Sequence, residues 1–271
     1  MSFTPAVPLG GLAGLRFLER TDAAQRAAHA DAPRIRRDLA YFADNIGSVR
    51  SAEALMADRR LATVALGAYG LGSEVGKRAF VARILEGGTS DPASLANRLA
   101  NEGFRRITAD FRFDREGFPL TGSPDLRDKV IAGYLAQTYE EAVGEQDPAL
   151  RLALDFKRRA GDVASRGWFA ILGDRPTREV LGRALGLPDA VASLDIDKQR
   201  EMFEARAQRT FGTADPVALT EAASADRIVA RYLLLDAAAS GPDASTPGFA
   251  VLSILSSGFG PAASASLLAS G

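Results

Sequence analysis

The segment Asp58-Arg-Arg-Leu-Ala-Thr-Val-Ala-Leu-Gly-Ala-Tyr-Gly-Leu71 carries the start, the apolar face and the end of a helix. Asp58 is a typical N-cap residue, because its carboxylate accepts hydrogen bonds from the first free backbone N–H groups. Gly70 and Leu71 are typical of a helix end, where a left-handed glycine lets the next apolar side chain fold back. The residues between them repeat at the spacing of a single buried face, at Leu61, Val64, Ala65 and Ala68.

The same pattern returns in Asp174-Arg-Pro-Thr-Arg-Glu-Val-Leu-Gly-Arg-Ala-Leu-Gly-Leu187, which aligns with the first stretch without a gap. Flanking blocks follow in the same order: Ala54-Leu-Met matches Ala170-Ile-Leu, Phe80-Val-Ala-Arg83 matches Phe203-Glu-Ala-Arg206, and Gly88–Leu95 matches Gly212–Leu219. This order predicts two similar helical subunits arising from an internal duplication, over residues 37–111 and 151–235. We expect the two subunits to superpose, with Val64 and Val180 in like environments.

Helix signals continue through the rest of the chain. An N-cap residue precedes a proline in Asp91-Pro92, Ser123-Pro124, Asp147-Pro148, Asp215-Pro216 and Thr246-Pro247, and helix stops are predicted at Gly70, Gly87, Gly186 and Gly212. Alternation typical of a strand is confined to Thr108–Phe113. The chain is therefore predicted to be all-α and multi-helical. Around the two subunits we place a leader with the first helices at 1–36, a connecting helix in 112–150 and a small-residue, apolar tail at 236–271.

The predicted core lies where the helices meet. It includes Val64, Leu66, Tyr69, Trp168, Val180 and Leu181. Truncating Leu181 to alanine is expected to cost about 2–5 kcal/mol, as for other packed core leucines.

Composition excludes several kinds of chemistry. The chain has 271 residues, no cysteine, a single histidine and a formal net charge of -1. Without cysteine there is no disulfide, thiolate zinc site, iron–sulfur cluster or thiol nucleophile, and one histidine excludes a histidine-rich metal site. The near-neutral charge is not that of a dedicated nucleic-acid binder. We predict no catalytic, cofactor or metal site, and therefore a protein that is not an enzyme.

The remaining chemical groups have ordinary structural interpretations. The single histidine, His29, lies in a polar, alanine-rich helix and is interpreted as a solvated residue whose replacement by alanine leaves function unchanged. Glu140, Glu141 and Glu145 are interpreted as a solvated helix face. Asp195-Ile-Asp197 lacks the rest of a calcium loop and is interpreted as the capped start of a helix from Asp197 to Phe211.

A basic and aromatic run has the outward form of a single-strand nucleic-acid platform. It interleaves Phe104, Phe111 and Phe113 with Arg105, Arg106, Arg112 and Arg115. We interpret the phenylalanines as filling the seam between the two subunits, and expect no nucleic-acid partner.

Arg59 and Arg175 are the two candidate contact residues of the body of the chain. Each follows a capping aspartate, where the helix dipole slightly disfavours a cation. A salt bridge, or a stem packed over apolar surface, is the favoured explanation. The alternative is a contact with a partner or an anionic group, repeated because the subunits repeat.

The tail supplies the other candidate contacts. No charge follows Asp243, and glycine, proline and serine interrupt the apolar run from Phe249, so membrane insertion is not expected. In a helix, Phe249 and Leu252 share one face, and Ile254 and Leu255 another. Such a helix lies either in a groove of its own protein or exposed to a partner, and we favour the second.

Several motifs together resemble those of the bacterial family called domain of unknown function 1217. They include Gly11-Leu-Ala-Gly-Leu-Arg-Phe-Leu-Glu-Arg-Thr21, Tyr41-Phe-Ala-Asp-Asn-Ile46, Asp58–Leu71, Leu95-Ala-Asn-Arg-Leu99, Ala142-Val-Gly-Glu-Gln-Asp147, Trp168-Phe-Ala-Ile-Leu-Gly173, Ala184-Leu-Gly-Leu-Pro188 and Leu194-Asp-Ile-Asp-Lys-Gln199. The resemblance covers about residues 10–235. It implies an alphaproteobacterial protein encoded among flagellar genes, and it carries over no catalytic residues.

From this resemblance we expect a non-enzymatic, flagellum-associated protein with a structural, assembly or regulatory role, acting through contacts with flagellar proteins. The N-terminal segment lacks the basic region of a secretory signal. The expected location is therefore the cytoplasm, or the flagellum after export without a cleavable signal. The alternatives are a general helical adaptor unrelated to motility, and an enzyme that relies on carboxylates and arginine.

Overall fold

The computed structural model describes residues 3–99, 101–114 and 119–240, and 77% of them are helical. These residues form 14 α-helices and no β-strand, which confirms the all-α prediction. The helices are α1 (Gly11–Ala30), α2 (Pro33–Asn45), α3 (Ala52–Ala57), α4 (Arg59–Ala68), α5 (Arg78–Glu86), α6 (Leu95–Arg98), α7 (Glu102–Phe111), α8 (Pro124–Gly144), α9 (Pro148–Ala164), α10 (Trp168–Gly173), α11 (Arg175–Ala184), α12 (Ile196–Phe211), α13 (Pro216–Thr220) and α14 (Ala222–Ser240). Short 3₁₀ turns lie at Ile46–Ser48, Gly72–Glu74, Leu120–Gly122 and Asp189–Ser193.

Helix α4, formed by the first of the two matching stretches, begins and ends as predicted. The Asp58 carboxylate accepts hydrogen bonds from the backbone N–H groups of Arg60 and Leu61. Gly70 is left-handed at φ 74°, and the Leu71 N–H reaches back to the Leu66 carbonyl at 2.9 Å. These are the hydrogen bonds of a glycine-terminated helix end.

Helix α11 repeats this construction. Asp174 caps it through the Thr177 N–H, Gly186 is left-handed at φ 66°, and the Leu187 N–H donates to the Gly182 carbonyl at 3.0 Å. Each of the two helices also follows a helix of six residues, α3 or α10. This local repetition supports the internal duplication, which stays a prediction.

Other predicted boundaries are partly confirmed. Pro148 and Pro216 begin α9 and α13 under aspartate caps, and Pro124 begins α8 although the Ser123 side chain makes no capping bond. One was wrong, since Asp91-Pro92 lies in a turn before α6. Helix α5 stops before Gly87 as predicted, although Gly88 rather than Gly87 takes the positive φ. Helix α12 starts at Ile196, one residue before the predicted start, and Thr108–Phe111 belongs to α7. Thr246-Pro247 lies outside the described residues.

The apolar side chains form two clusters that share helix α8. The first cluster draws on α2–α7 and on the first half of α8, and the second on α1, the rest of α8 and α9–α14. All six predicted core residues are buried, with Val64 and Leu66 in the first cluster and Val180 and Leu181 in the second. Phe104 and Phe111 belong to the first cluster.

Helix α1 packs on the later half of the chain, which its position in the sequence does not indicate. Leu15 and Leu18 are buried in the second cluster. On the surface, Lys157 of α9 pairs with Glu19 of α1 at 2.6 Å and with Asp226 of α14 at 2.7 Å. Helix α1 begins at Gly11, within the segment predicted to hold the leader and the first helices. In the described part of the chain, no helix has the length and apolarity needed to cross a membrane.

Candidate functional site

The candidate site is a cleft of about 470 Å³ between α11 and the segment that leads into α12. We call it the α11–α12 cleft. The α11 wall carries Arg175, Arg178, Glu179 and Arg183, and the opposite wall carries Pro188, Asp189 and Ala192. Its base is formed by Gly182, Leu187, Val191, Gln199 and Phe203, all of them buried. Arg175, one of the predicted contact residues, therefore borders a cavity of a size typical of ligand sites.

Local hydrogen bonds hold the second wall in place. Asp195 caps α12 by accepting from the Asp197 N–H at 2.9 Å. The Gln199 side-chain amide donates to the Leu194 carbonyl at 2.8 Å and to the Ala192 carbonyl at 3.3 Å. The Gln199 side chain thus fastens the 3₁₀ turn to α12. Its side-chain oxygen Oε1 is buried and has no hydrogen-bond partner in the described structure.

The base of the cleft connects to the only tryptophan of the chain. Phe203 lies one turn beyond Gln199 on α12, and its ring meets that of Trp168 edge-on with 6.2 Å between centroids. Trp168 is buried and donates its indole N–H to the Ala214 carbonyl at 2.9 Å. A change in the environment of Phe203 should therefore alter the fluorescence of Trp168.

The three arginines of the α11 wall differ in how they are bonded. Arg183 pairs with Asp236 of α14, and Arg178 donates to the Leu172 carbonyl at 2.9 Å. Arg175 is exposed and makes no ion pair or hydrogen bond with its side chain among the described residues. The salt bridge favoured for Arg175 from the sequence is therefore not formed there.

The other predicted contact residues lie away from this cleft or outside the described structure. Arg59 is exposed at the start of α4, in the other half of the molecule, and its side chain makes no ion pair within the described ranges. Phe249, Leu252, Ile254 and Leu255 lie outside the described residues. The structure therefore separates Arg175 from Arg59, which the sequence treats alike.

A buried ionic network close to the cleft was missed. Arg158 makes two bonds of 2.7 Å to the Glu140 carboxylate, and Arg159 bonds both oxygens of Asp155 at 2.7 and 2.8 Å. Arg159 also reaches Asp174, the cap of α11, at 3.3 Å. The four-residue spacing of Asp155 and Arg159 on one helix was the available signal.

The interpretation of Glu140 as solvated is wrong, because the residue is 2% exposed. Burial raises the pKa of Glu140, and the paired Arg158 guanidinium opposes that rise. Arg106 lies near the same network, and its pKa is lowered by burial and by repulsion from Arg159 and Arg158. These charges are positioned to join helices α8, α9 and α11.

The interpretation of His29 as solvated is also wrong, since the residue is 6% exposed. Its ring makes edge-on contacts with Phe3 and Tyr139, and its Nε2 lies 2.8 Å from the Thr138 hydroxyl. Burial, together with the nearby Arg26 cation, lowers the pKa of His29. The histidine packs α1 against α8.

The described residues define an all-helical protein with two hydrophobic clusters and a mixed-charge cleft on an apolar base. The chain belongs to the family described as protein of unknown function (DUF1217), whose model matches residues 68–232. The structure is also similar to the crystal structure of protein AGR_C_984 from Agrobacterium tumefaciens. That likeness has a TM-score of 0.69 at 23% identity and covers 86% of this chain and 97% of the other, which shows a shared fold.

No curated protein matches this chain. Among the described residues, no group of three or more histidine, aspartate or glutamate side chains is arranged to hold a metal ion.

Proposed function

We propose that this protein is a non-enzymatic, flagellum-associated protein that acts through protein–protein contacts, with the α11–α12 cleft as its contact site. The observation that carries the proposal is Arg175, an exposed cation without a counter-ion among the described residues, at the edge of a cavity with an apolar base. Arginines beside apolar pockets are common anchors of protein interfaces.

The flagellar context comes from the family resemblance described above. It supports partners among flagellar proteins, met either in the cytoplasm or at the flagellum after export without a cleavable signal. The apolar tail with Phe249, Leu252, Ile254 and Leu255 is proposed as a second contact.

The buried carboxylates support a non-enzymatic role. Acid–base catalysis needs a group that reaches the substrate. Glu140, Asp155 and Asp174 are instead buried and bonded to arginines or to a helix terminus. Their environment is that of residues that hold helices together.

Affinity purification from motile cells tests the proposal. The wild-type chain, Arg175→Glu and Arg59→Glu serve as baits, the last as a matched exposed arginine that follows the other capping aspartate. We expect flagellar proteins with the wild type and with Arg59→Glu, and a clear loss with Arg175→Glu. Baits that recover no flagellar protein would show that the proposed context is wrong.

Deleting residues 244–271 tests the second contact. The truncated protein is expected to melt like the full chain, while a strain carrying it loses normal swarming. A lower melting temperature would assign the tail to the core, and unchanged swarming would remove it as the flagellar contact.

A further inference from the structure

We propose that the α11–α12 cleft binds a segment of a partner protein in which an acidic side chain adjoins an apolar one. The inference rests on the proposed function in that the occupant is a protein. It adds the chemistry by which that protein is recognised.

The base of the cleft accounts for the apolar side chain. Leu187, Val191 and Phe203 are buried beneath it, so an apolar group placed on them leaves water without exposing a polar group. Gly182 lets the Phe203 ring pack close against α11, because a Cβ there would lie 3.2 Å from the tip of that ring. The cavity of about 470 Å³ accommodates a side chain together with the adjoining backbone.

The α11 wall accounts for the acidic side chain. Arg175 and Arg178 are three residues apart, so they stand on the same face of the helix. Arg175 has no partner among the described residues, and Arg178 makes a single described bond, to a carbonyl. Guanidinium groups in this state bind a carboxylate through charge-assisted, often paired, hydrogen bonds.

The remaining polar groups favour a peptide over a free phosphate or a nucleic acid. Glu179 and Asp189 also border the cleft, and their carboxylates repel a multiply charged anion. Arg183 is already paired with Asp236. The side-chain oxygen Oε1 of Gln199 has no hydrogen-bond partner and needs a donor. A peptide N–H supplies one and a phosphate oxygen does not. One carboxylate, an apolar side chain and backbone N–H groups match this set.

Selection from a displayed random peptide library tests the inference without assuming a partner. Peptides are selected on the full chain and counter-selected on Arg175→Glu. We expect enriched peptides to place aspartate or glutamate next to leucine, isoleucine, methionine or phenylalanine. Enrichment of peptides without an acidic residue, or no enrichment, would overturn the proposal.

The most enriched peptide is then titrated in solution. Arg175→Ala should weaken its binding about tenfold, the effect of losing one charged hydrogen bond. Arg59→Ala should bind like wild type, because Arg59 does not line the cleft. Ala192→Phe, which fills the cleft from the opposite wall, should abolish binding. Equal affinity for all four proteins would place the peptide elsewhere and refute the site.

Trp168 provides an independent readout, because its ring touches Phe203 at the base of the cleft. Its emission should change on titration of the peptide in the wild type and stay constant in Ala192→Phe. Matching melting curves of the variants show that the fold is kept. If peptide recognition follows this pattern while purification from cells recovers no flagellar protein, the cleft stands and the flagellar proposal fails.

Discussion

At the scale of single residues, the two capping aspartates show how one local role takes on different tertiary partners. The Asp58 carboxylate accepts a hydrogen bond from the Tyr41 hydroxyl at 2.6 Å, and Asp58 remains partly exposed. The Asp174 carboxylate accepts a hydrogen bond from the Thr177 hydroxyl at 2.6 Å. Asp174 is 5% exposed and forms an ion pair with Arg159. The cap is a property of the helix start, whereas the buried ion pair depends on a neighbouring helix.

His29 is expected to make stability depend on pH. The Thr138 hydroxyl donates to the Tyr134 carbonyl, so Nε2 of His29 carries the proton and donates to Thr138, while Nδ1 is buried without a partner. Burial lowers the pKa of His29 in the folded state, with Arg26 adding to the effect. The unfolded histidine, with its ordinary pKa of about 6.5, then takes up the proton first.

The stabilisation from neutral His29 is therefore present above that pKa and is lost as the pH falls through the lowered folded value. His29→Gln should flatten the unfolding free energy between about pH 7 and pH 5, measured by denaturant titration. Identical slopes for wild type and variant would contradict this assignment.

Leu181 should behave as a packed core residue, since it is 1% exposed in the second cluster. Leu181→Ala is expected to lower the free energy of unfolding by about 2–5 kcal/mol, because it removes apolar contacts and leaves a cavity. Leu194, which is 41% exposed, is the matched control, and Leu194→Ala should change stability by less than about 0.5 kcal/mol. Urea denaturation of both variants makes the comparison.

At the scale of elements, α4 and α8 approach closely because each places a glycine at the contact. A Cβ on Gly67 would lie 2.9 Å from the Tyr134 ring, and one on Gly133 would lie 2.9 Å from the Ala68 carbonyl oxygen. Glycine weakens a helix by about 0.5–1 kcal/mol relative to alanine. That cost is offset by the packing which the close approach allows.

Two glycine substitutions should therefore change the stability of the protein in opposite directions. Gly133→Ala improves helix propensity, but overpacking against backbone costs about 1–3 kcal/mol, so a net loss of stability is expected. Gly161 of α9 has no atom within 4 Å of an added Cβ, and Gly161→Ala should raise stability by about 0.5–1 kcal/mol. Thermal melts that shift in the same direction for both would disprove the α4–α8 contact.

At the scale of the whole molecule, the two hydrophobic clusters are joined rather than independent. Helix α8 contributes Val130 to the first cluster and Val143 to the second. Arg166, which follows α9, pairs with Glu102 of α7 at 2.6 Å. Burial alone would raise the pKa of Glu102, but hydrogen bonds from Arg166 and Arg105 lower it overall.

Because α8 belongs to both clusters, the two halves should unfold together. Hydrogen exchange should give similar opening free energies for core amides of α4 and α11, close to that of global unfolding. Two well-separated classes, one for each cluster, would show that α8 does not couple them.

Features that depend on residues close together in the chain were predictable from the sequence. The caps, glycine stops and apolar spacing of α4 and α11 were predicted correctly, because a helix end is stabilised by groups within a few residues of it. The all-α class and the six core residues followed from the same periodicity. The wrong prediction of a helix start at Asp91-Pro92 has the same origin. The Asp91 carboxylate accepts a hydrogen bond from the Ala93 N–H in a turn, so the capping pattern is present without a helix.

Features that depend on residues far apart in the chain became visible only in the folded structure. His29 and Glu140 read as solvated from their own helices, yet Phe3, Tyr139 and Arg158 bury them. The α11–α12 cleft likewise exists because two helices meet, and only this meeting distinguishes Arg175 from Arg59. The physical reason is that the elements packed against a residue set its burial and its charge pairing. Local periodicity shows which face of a helix is buried, but not which element packs against that face.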